Sequence, residues 1–365
     1  MRGLGISIYP EQASIEENMA YVALAAKYGF NRVFTCLLSV GTDKERIVKE
    51  FSEITEHAQK SGMEVIADVS PAVFNDLGIS YNDLKLFRDM KLSGIRLDEG
   101  FSGLEESLMT FNPYGIKIEI NMSAAAGYAE NILSFAPNKA NLLGCHNFYP
   151  HRYTGLSREH FIRCSRVFKN LGLRTAAFVS SQSASFGPWK VAEGLCTLEE
   201  HRDLPIKVQA KDLFNTDLID DVIIANAFAS EEELKALGKL DREMLELDVE
   251  MEENAPGLCR KIVLEELHFC RGDVSEYMIR STHSRLKYKG RYIEPFNTLP
   301  IKRGDILVES SLYDRYAGEM QIALKEMENS GKTNIVGRIC SDEIFLLDHI
   351  EPWQKFKLYE RGLIV

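Results

Sequence analysis

From its N-terminus the chain alternates short apolar runs with amphipathic stretches of helical period. "LGISIY" leads into "ASIEENMAYVALAAKYGF", where Ser14 and Glu17 form a capping box, Ile15, Met19, Val22 and Ala26 share one stripe, and Gly29 closes the helix. "RVFTCLL" feeds a second helical pattern that carries Phe51, Ile54 and Ala58 inward and stops at Gly62. "MEVIADVS" before "YNDLKLFRDM", "GIRLDEG" before "LEESLMTF", and "IKIEIN" before "AAGYAENILSF" repeat the alternation. "NLLGCHNFY" precedes a helix from Ser157 to Asn170, "LRTAAFV" follows, and "DVIIANAF" precedes "SEEELKALG". Alternating strands and helices predict a parallel sheet, and eight such units within about 240 residues fit an α/β fold of the (β/α)8 TIM-barrel type. The stretch 180–216 far exceeds an ordinary βα loop of about 2 to 6 residues, so it is expected to hold a helix and part of a site.

Beyond residue 240 the alternation ends. "KLDREMLELDVEMEENAPG" reads as an acidic connector, with a boundary near Met251. The expected division is a barrel over 1–240, a linker over 241–256 and a small, mostly β domain over 257–365. In the last part "KIVLEELHF", "RYIEPF", "DILVES", "NIVGRI" and "EIFLLDHI" read as strands between turn-like "RGD", "KGR", "KRGD" and "NSGKTN".

Composition narrows the function classes. The 365 residues carry 43 Lys+Arg against 54 Asp+Glu, a formal charge of −11, with no basic stripe of the nucleic-acid-binding kind. No apolar stretch approaches membrane-spanning length, and the start "MRGLGISIYPEQ" enters a strand directly, so neither nucleic acid nor membrane is an expected partner and a cytoplasmic location is expected. The 7 cysteines are scattered without a CxxC pair and are expected to be reduced, mostly buried thiols.

In a barrel of this type the site lies at the C-terminal strand ends, and the polar residues there form a series. Asp68 ends the third strand, Arg96 and Asp98 the fourth, and Glu119 and Asn121 the fifth. His146, Asn147 and Tyr149 follow the sixth, Gln182 the seventh, and Asn226 lies on the eighth. Within "GIRLDEGF" the strand period of two sends Arg96 and Asp98 to one face and Glu99 to the other. Three acids on three neighbouring strands are costly to bury together without a catalytic or cation-binding purpose. Adjacent strands lie about 4.8 Å apart, so Asp98 and Glu119 are expected to approach the roughly 5 to 5.5 Å separation of retaining glycosidases. In that reading Asp98 is nucleophile or charge stabiliser beside Arg96, Glu119 is the general acid and then base, and Asp68 is a supporting carboxylate. Trp189, Phe186, Tyr149 and Tyr9 are candidates for stacking on a sugar ring.

No metal and no organic cofactor is expected. His146 and His151 lack a third ligand, neither GxGxxG nor a P-loop occurs, and "GISIYPE" holds no lysine for a Schiff base.

Taken together, "GISIYPE", "ADVSP", "GIRLDEGF", "NFYPHRYTGLS", "IRSTHSR" and "YAGEMQIAL" make the chain resemble, along essentially its whole length, the bacterial MupG-type 6-phospho-N-acetylmuramidase family. The resemblance implies a TIM barrel joined to a cyclophilin-like β-barrel. It also implies cytoplasmic hydrolysis of the β-1,4 bond between N-acetylmuramic acid 6-phosphate and N-acetylglucosamine, in cell-wall recycling. Such a phosphorylated disaccharide needs local cations. Arg96, Lys117 and Arg152 are candidates in the barrel, and Arg280, Ser281, Thr282, His283 and Arg285 form a dense donor set for an anion in the tail. The tail is thereby expected to present Arg280 to the substrate's anionic group. The alternative is a sugar-phosphate sensor that binds without turnover. The oligomeric state is left open.

Overall fold

The computed structural model describes residues 2–38, 44–124, 127–191 and 193–362. The chain divides into two compact units, Met1–Leu240 and Asp241–Val365.

The first unit is a closed barrel of eight parallel strands, each paired with the next and the last with the first. They are β1 (Gly3–Ile8), β2 (Arg32–Cys36), β3 (Glu64–Val69), β4 (Gly94–Leu97), β5 (Lys117–Asn121), β6 (Leu142–Cys145), β7 (Arg174–Val179) and β8 (Asp221–Ile224). Helices follow the strands, among them Ile15–Lys27, Lys44–Lys60, Arg158–Asn170, Ile206–Asn215 and Glu231–Gly238. Ser14 and Glu17 make the expected reciprocal cap, and so do Ser230 and Glu233. Gly29 and Gly62 close their helices at φ of 79° each, a region that residues with a Cβ rarely enter. The long stretch after β7 holds a 3-10 turn, Glu199–His201, and the helix Ile206–Asn215.

Two apolar layers result from the period of two along each strand. Ile118, Ile120, Val65 and Ala67 face outward and pack with helix residues such as Val22, Ala25, Ile54 and Phe161. Phe34, Cys36, Cys145, Ala176, Phe178 and Ile223 fill the barrel interior. Asp68, Arg96 and Glu119 alternate with the outward set and stand in register across β3, β4 and β5, so a charged row crosses the interior.

The second unit is a seven-stranded mixed sheet that nearly closes on itself. Its strands are β9 (Leu245–Met251), β10 (His268–Phe269), β11 (Met278–Ser281), β12 (Asp305–Glu309), β13 (Met320–Ala323), β14 (Thr333–Ile339) and β15 (Lys355–Glu360), in spatial order β10, β15, β9, β14, β12, β13, β11. Just past the edge strand β10, the Arg271 amide donates to the Arg280 carbonyl of the other edge, β11, at 3.0 Å.

Four sequence expectations are corrected in this unit. The stretch 241–256 is not a linker: it contains β9, which pairs with β14 on one side and β15 on the other. Leu245, Leu247 and Val249 alternate with acids and are the buried face of that strand, so the acidic composition masked a period of two. "KIVLEELHF" splits into the end of a helix, Gly257–Glu265, and β10, because Cys259, Ile262 and Val263 have helical spacing. "EIFLLDHI" forms a 3-10 segment, Ile344–His349, burying the adjacent Leu346 and Leu347. "RYIEPF" forms no strand, Pro295 offering no amide to a ladder.

Candidate active site

The polar residues at the C-terminal end of the barrel converge on Arg96. Its buried guanidinium donates through Nη1 to Asp68 Oδ1 at 2.5 Å and to Asp98 Oδ1 at 3.2 Å, while Nη2 donates to Asn147 Oδ1. These two aspartate oxygens thus sit on one nitrogen and lie at most about 6 Å apart, below the roughly 6.5 to 9.5 Å of inverting glycosidases. The two differ in environment. Asp68, inside β3, has a side chain only 4% exposed, whereas that of Asp98, just past β4, is 35% exposed. Burial pushes the Asp68 carboxyl up to about 7, with Arg96 pulling it down and neighbouring Asp98 and Glu119 pushing it up.

Around this pair, Asn121 Nδ2 donates to the Asp98 carbonyl at 3.3 Å and Asn121 Oδ1 accepts the Ser123 amide at 2.9 Å. The Asn147 amide donates to Ser123 Oγ at 2.8 Å. Tyr149 is half-buried; burial raises its hydroxyl, with Ser123, Arg96 and Asp98 also acting on it. Asp68, Arg96, Asp98, Asn121, Asn147 and Tyr149 are therefore one constellation. Ser123 belongs to it and was missed, a serine in "NMSAAAG" giving no signal until the turn after β5 is built.

Glu119 stands apart. The strand register sets it opposite Arg96, while Asn121 is the residue beside Asp98, so Glu119 lies one layer deeper in the barrel. It is fully buried, and both carboxylate oxygens accept from Arg32 Nη2 at 2.6 Å. Arg32 also reaches Asp221, which in turn holds Arg174. Both oxygens of the carboxylate expected as general acid are thus engaged by a buried guanidinium. Arg32 was missed as its partner, although it shares its inward parity with Phe34 and Cys36 on β2.

The other expected substrate contacts have partners of their own within the chain. His146 is fully buried and turned toward the helix Arg158–Asn170, its Nε2 hydrogen-bonded with Ser165 Oγ at 2.8 Å and its ring 4.8 Å from Phe161. Burial holds its imidazole down near about 3. Asn226 exchanges two hydrogen bonds with the Ser181 backbone. Gln182 donates to the Arg202 and Leu204 carbonyls. Arg152 pairs with Asp203 through two bonds of 2.9 Å, and Lys117 pairs with Glu64. Among the aromatics, Trp189 is 43% exposed and lies against Phe148, Phe186 packs on Phe228, and Tyr9 is buried and donates to the Ala225 carbonyl. In the second unit Arg280 and Arg285 share Glu319, the Ser281 hydroxyl is buried beside His268, and Thr282 precedes the short helix His283–Lys287.

Among the described residues, Glu200, His201 and Asp212 bring three potential metal ligands within 4.8 Å of one another. Arg158 Nη2 lies 2.6 Å from both Glu200 and Asp212, so a cation from the chain already fills that cluster. No helix is long and apolar enough to cross a membrane among the described residues.

Residues 4–239 match the family described as 6-phospho-N-acetylmuramidase, N-terminal, and residues 245–359 match 6-phospho-N-acetylmuramidase, C-terminal. The chain belongs to the 6-phospho-N-acetylmuramidase family. An uncharacterized B. cereus protein of solved structure is 51% identical, over 98% of this chain and 99% of that one, with a TM-score of 0.92. A conserved Enterococcus faecalis protein of unknown function shares the fold at a TM-score of 0.72 and 23% identity, over 99% of this chain and 97% of that one. Comparison with curated proteins gives no match. The family's name carries a glycosidase activity.

Proposed function

We propose that the protein hydrolyses the β-1,4 bond between N-acetylmuramic acid 6-phosphate and N-acetylglucosamine, with Asp68 and Asp98 as the reacting carboxyl groups, and that it does so in the cytoplasm during cell-wall recycling. One observation carries the reading: two aspartates share a single guanidinium nitrogen at the strand ends of a barrel whose family is named for this activity.

The chemistry follows from charge. One guanidinium cannot fully compensate two carboxylates, so near neutral pH the pair retains a proton, and the more buried member keeps it. Asp68 accordingly donates a proton to the glycosidic oxygen as the bond to the leaving sugar breaks. Asp98, nearer solvent, faces the anomeric carbon, where positive charge develops as the bond breaks; a water oxygen then bonds to that carbon and its proton returns to Asp68. Arg96 positions both groups, and Asn147 fixes the other end of its fork. Asn121, Ser123 and Tyr149 supply neutral donors and acceptors for sugar hydroxyls at the same mouth. Glu119 and Arg32 form the charged floor beneath.

The test is incubation of the purified chain with the phosphorylated disaccharide, followed by detection of N-acetylmuramic acid 6-phosphate and N-acetylglucosamine. Stoichiometric release of both is expected. Intact disaccharide at every pH tried, with saturable binding, would replace hydrolysis by the non-catalytic sensor.

A further inference from the structure

The second unit contains a cleft of about 930 Å³ between β11, the helix His283–Lys287 and the segments on either side of β12. Its wall carries Arg271, Arg280, Arg285, Lys289, Arg291 and Arg315. Four carboxyl groups answer these six cations, Asp273 and Asp314 on the wall with Glu319 and Glu309 beneath, so cations still outnumber them by two in a chain of net charge −11. A like-charged cluster of this kind is costly unless an anion joins it.

The arrangement is ordered from below. Glu319 is fully buried, with Arg280 Nη2 at 2.7 Å from one oxygen and Arg285 Nη1 at 2.9 Å from the other. One carboxylate therefore holds two guanidinium groups, each about a quarter exposed. Arg285 is held from the side as well, its guanidinium lying 5.4 Å from the centre of the Tyr316 ring. Above them Lys289, Arg291 and Arg315 are exposed and have no ion-pair partner among the described residues. Tyr288, Tyr292 and Tyr316 also line the cleft and offer flat faces of the kind that sugar rings pack against.

We infer that this cleft is an anion site belonging to the second unit, and that it takes a phosphorylated sugar: the phosphate dianion between the arginines and the sugar ring against the tyrosines. Fixed guanidinium forks suit the equatorial oxygens of a phosphomonoester, which accept several charge-assisted hydrogen bonds at once. The choice of a sugar as the phosphate's bearer rests on the function proposed above; the phosphate site itself does not. Arg280 and Arg285 were legible from "IRSTHSR", but Arg271, Arg291 and Arg315 reach the same cleft from segments that only the fold brings together.

Binding is measured by titration calorimetry on the full chain with N-acetylmuramic acid 6-phosphate, N-acetylmuramic acid and inorganic phosphate. The sugar phosphate is expected to bind at least about 10-fold more tightly than either of the others. Arg291→Glu and Arg315→Glu, both on exposed and unpaired positions, should each weaken it by about 10-fold or more. Asp98→Asn should leave this binding in place, so loss of turnover and loss of the cleft are separable. Affinity unchanged in both charge-reversal variants, or lost only in Asp98→Asn, would overturn the site. Equal affinity for inorganic phosphate would remove the sugar from it, and displacement of the sugar phosphate by RNA at lower concentration than by sugar phosphate itself would reassign the cleft to polynucleotide.

Discussion

Two carboxylates that meet one guanidinium nitrogen compete for it, and burial decides which stays ionised. With Asp68 pushed up to about 7, the fraction able to donate a proton falls as pH rises through that value. The alkaline limb of kcat/KM should therefore have its midpoint near 7, and Asp68→Asn should abolish the limb while lowering kcat by about 10²- to 10⁴-fold. Asp98→Asn should lower kcat at least as far but keep an alkaline limb, moved to lower pH, because Asp68 remains and has lost a neighbouring charge that pushes it up. The stability consequence has the opposite sign from that of an ordinary paired aspartate: unfolding lowers the Asp68 pKa, so this group's contribution to stability declines as pH climbs from about 4 to 7. Glu119 gives a contrasting expectation. Glu119→Gln leaves Arg32 with Asp221 alone, and breaking a buried pair costs roughly 3 to 5 kcal/mol, less here by what Asp221 retains. Chemical denaturation should show that loss, while turnover per folded molecule stays within about 10-fold. A fall of three orders of magnitude without destabilisation would return the proton to Glu119. The sequence pointed to the inward parity of Arg96 and Asp98, since it follows from the strand period. It could not show which carboxylate Arg32 would claim, because that depends on the stagger between strands distant in the chain.

At the scale of elements, the loop after β7 shows expected ligands hydrogen-bonded to loop backbone. Asn226, beyond β8, pins Ser181, and Gln182 spans to the carbonyls at 202 and 204. Glu233, in the first turn of the helix Glu231–Gly238, accepts from Ser181 Oγ at 2.6 Å and from the Gln182 amide at 2.9 Å while also capping its own helix. One side chain therefore ties the loop to the following βα unit. Glu233→Ala removes these bonds together and should cost about 1 to 3 kcal/mol and open the loop to limited proteolysis between residues 180 and 200. Cleavage no faster than in the parent chain would mean that the bonds of Asn226 and Gln182 hold the loop without Glu233. Strand-end polarity in the sequence correctly marked these positions as unusual, but amides that satisfy loop backbone and amides that await a ligand have the same sequence signature. The barrel strands were legible for the converse reason: each apolar run is followed by a stretch of helical period, so two periodicities confirm each other. In the second unit β11, β13 and β15 are short or half-polar and have no such partner.

The whole molecule joins two closed or nearly closed sheets, and where one ends decides which pieces can fold. The barrel returns to its first strand through β8, and its outer core is complete by Leu240. The second sheet begins immediately afterwards, with β9 at its middle and ladders on both sides. Leu247 and Val249 are fully buried there. A fragment of residues 1–240 should therefore unfold cooperatively by itself, and so should 241–365. A fragment of residues 257–365, cut where acidity suggests a linker ends, lacks β9: it leaves β14 and β15 each with one neighbour instead of two and exposes the apolar face that Leu247 covers. It should be aggregated or without a cooperative transition, because losing an interior strand splits the sheet and removes hydrogen bonds and core together. Circular dichroism melts of the three fragments decide the matter. A cooperative melt of 257–365 matching that of 241–365 would show that β9 adds nothing to the second fold, and would restore the linker that the acidic residues suggest.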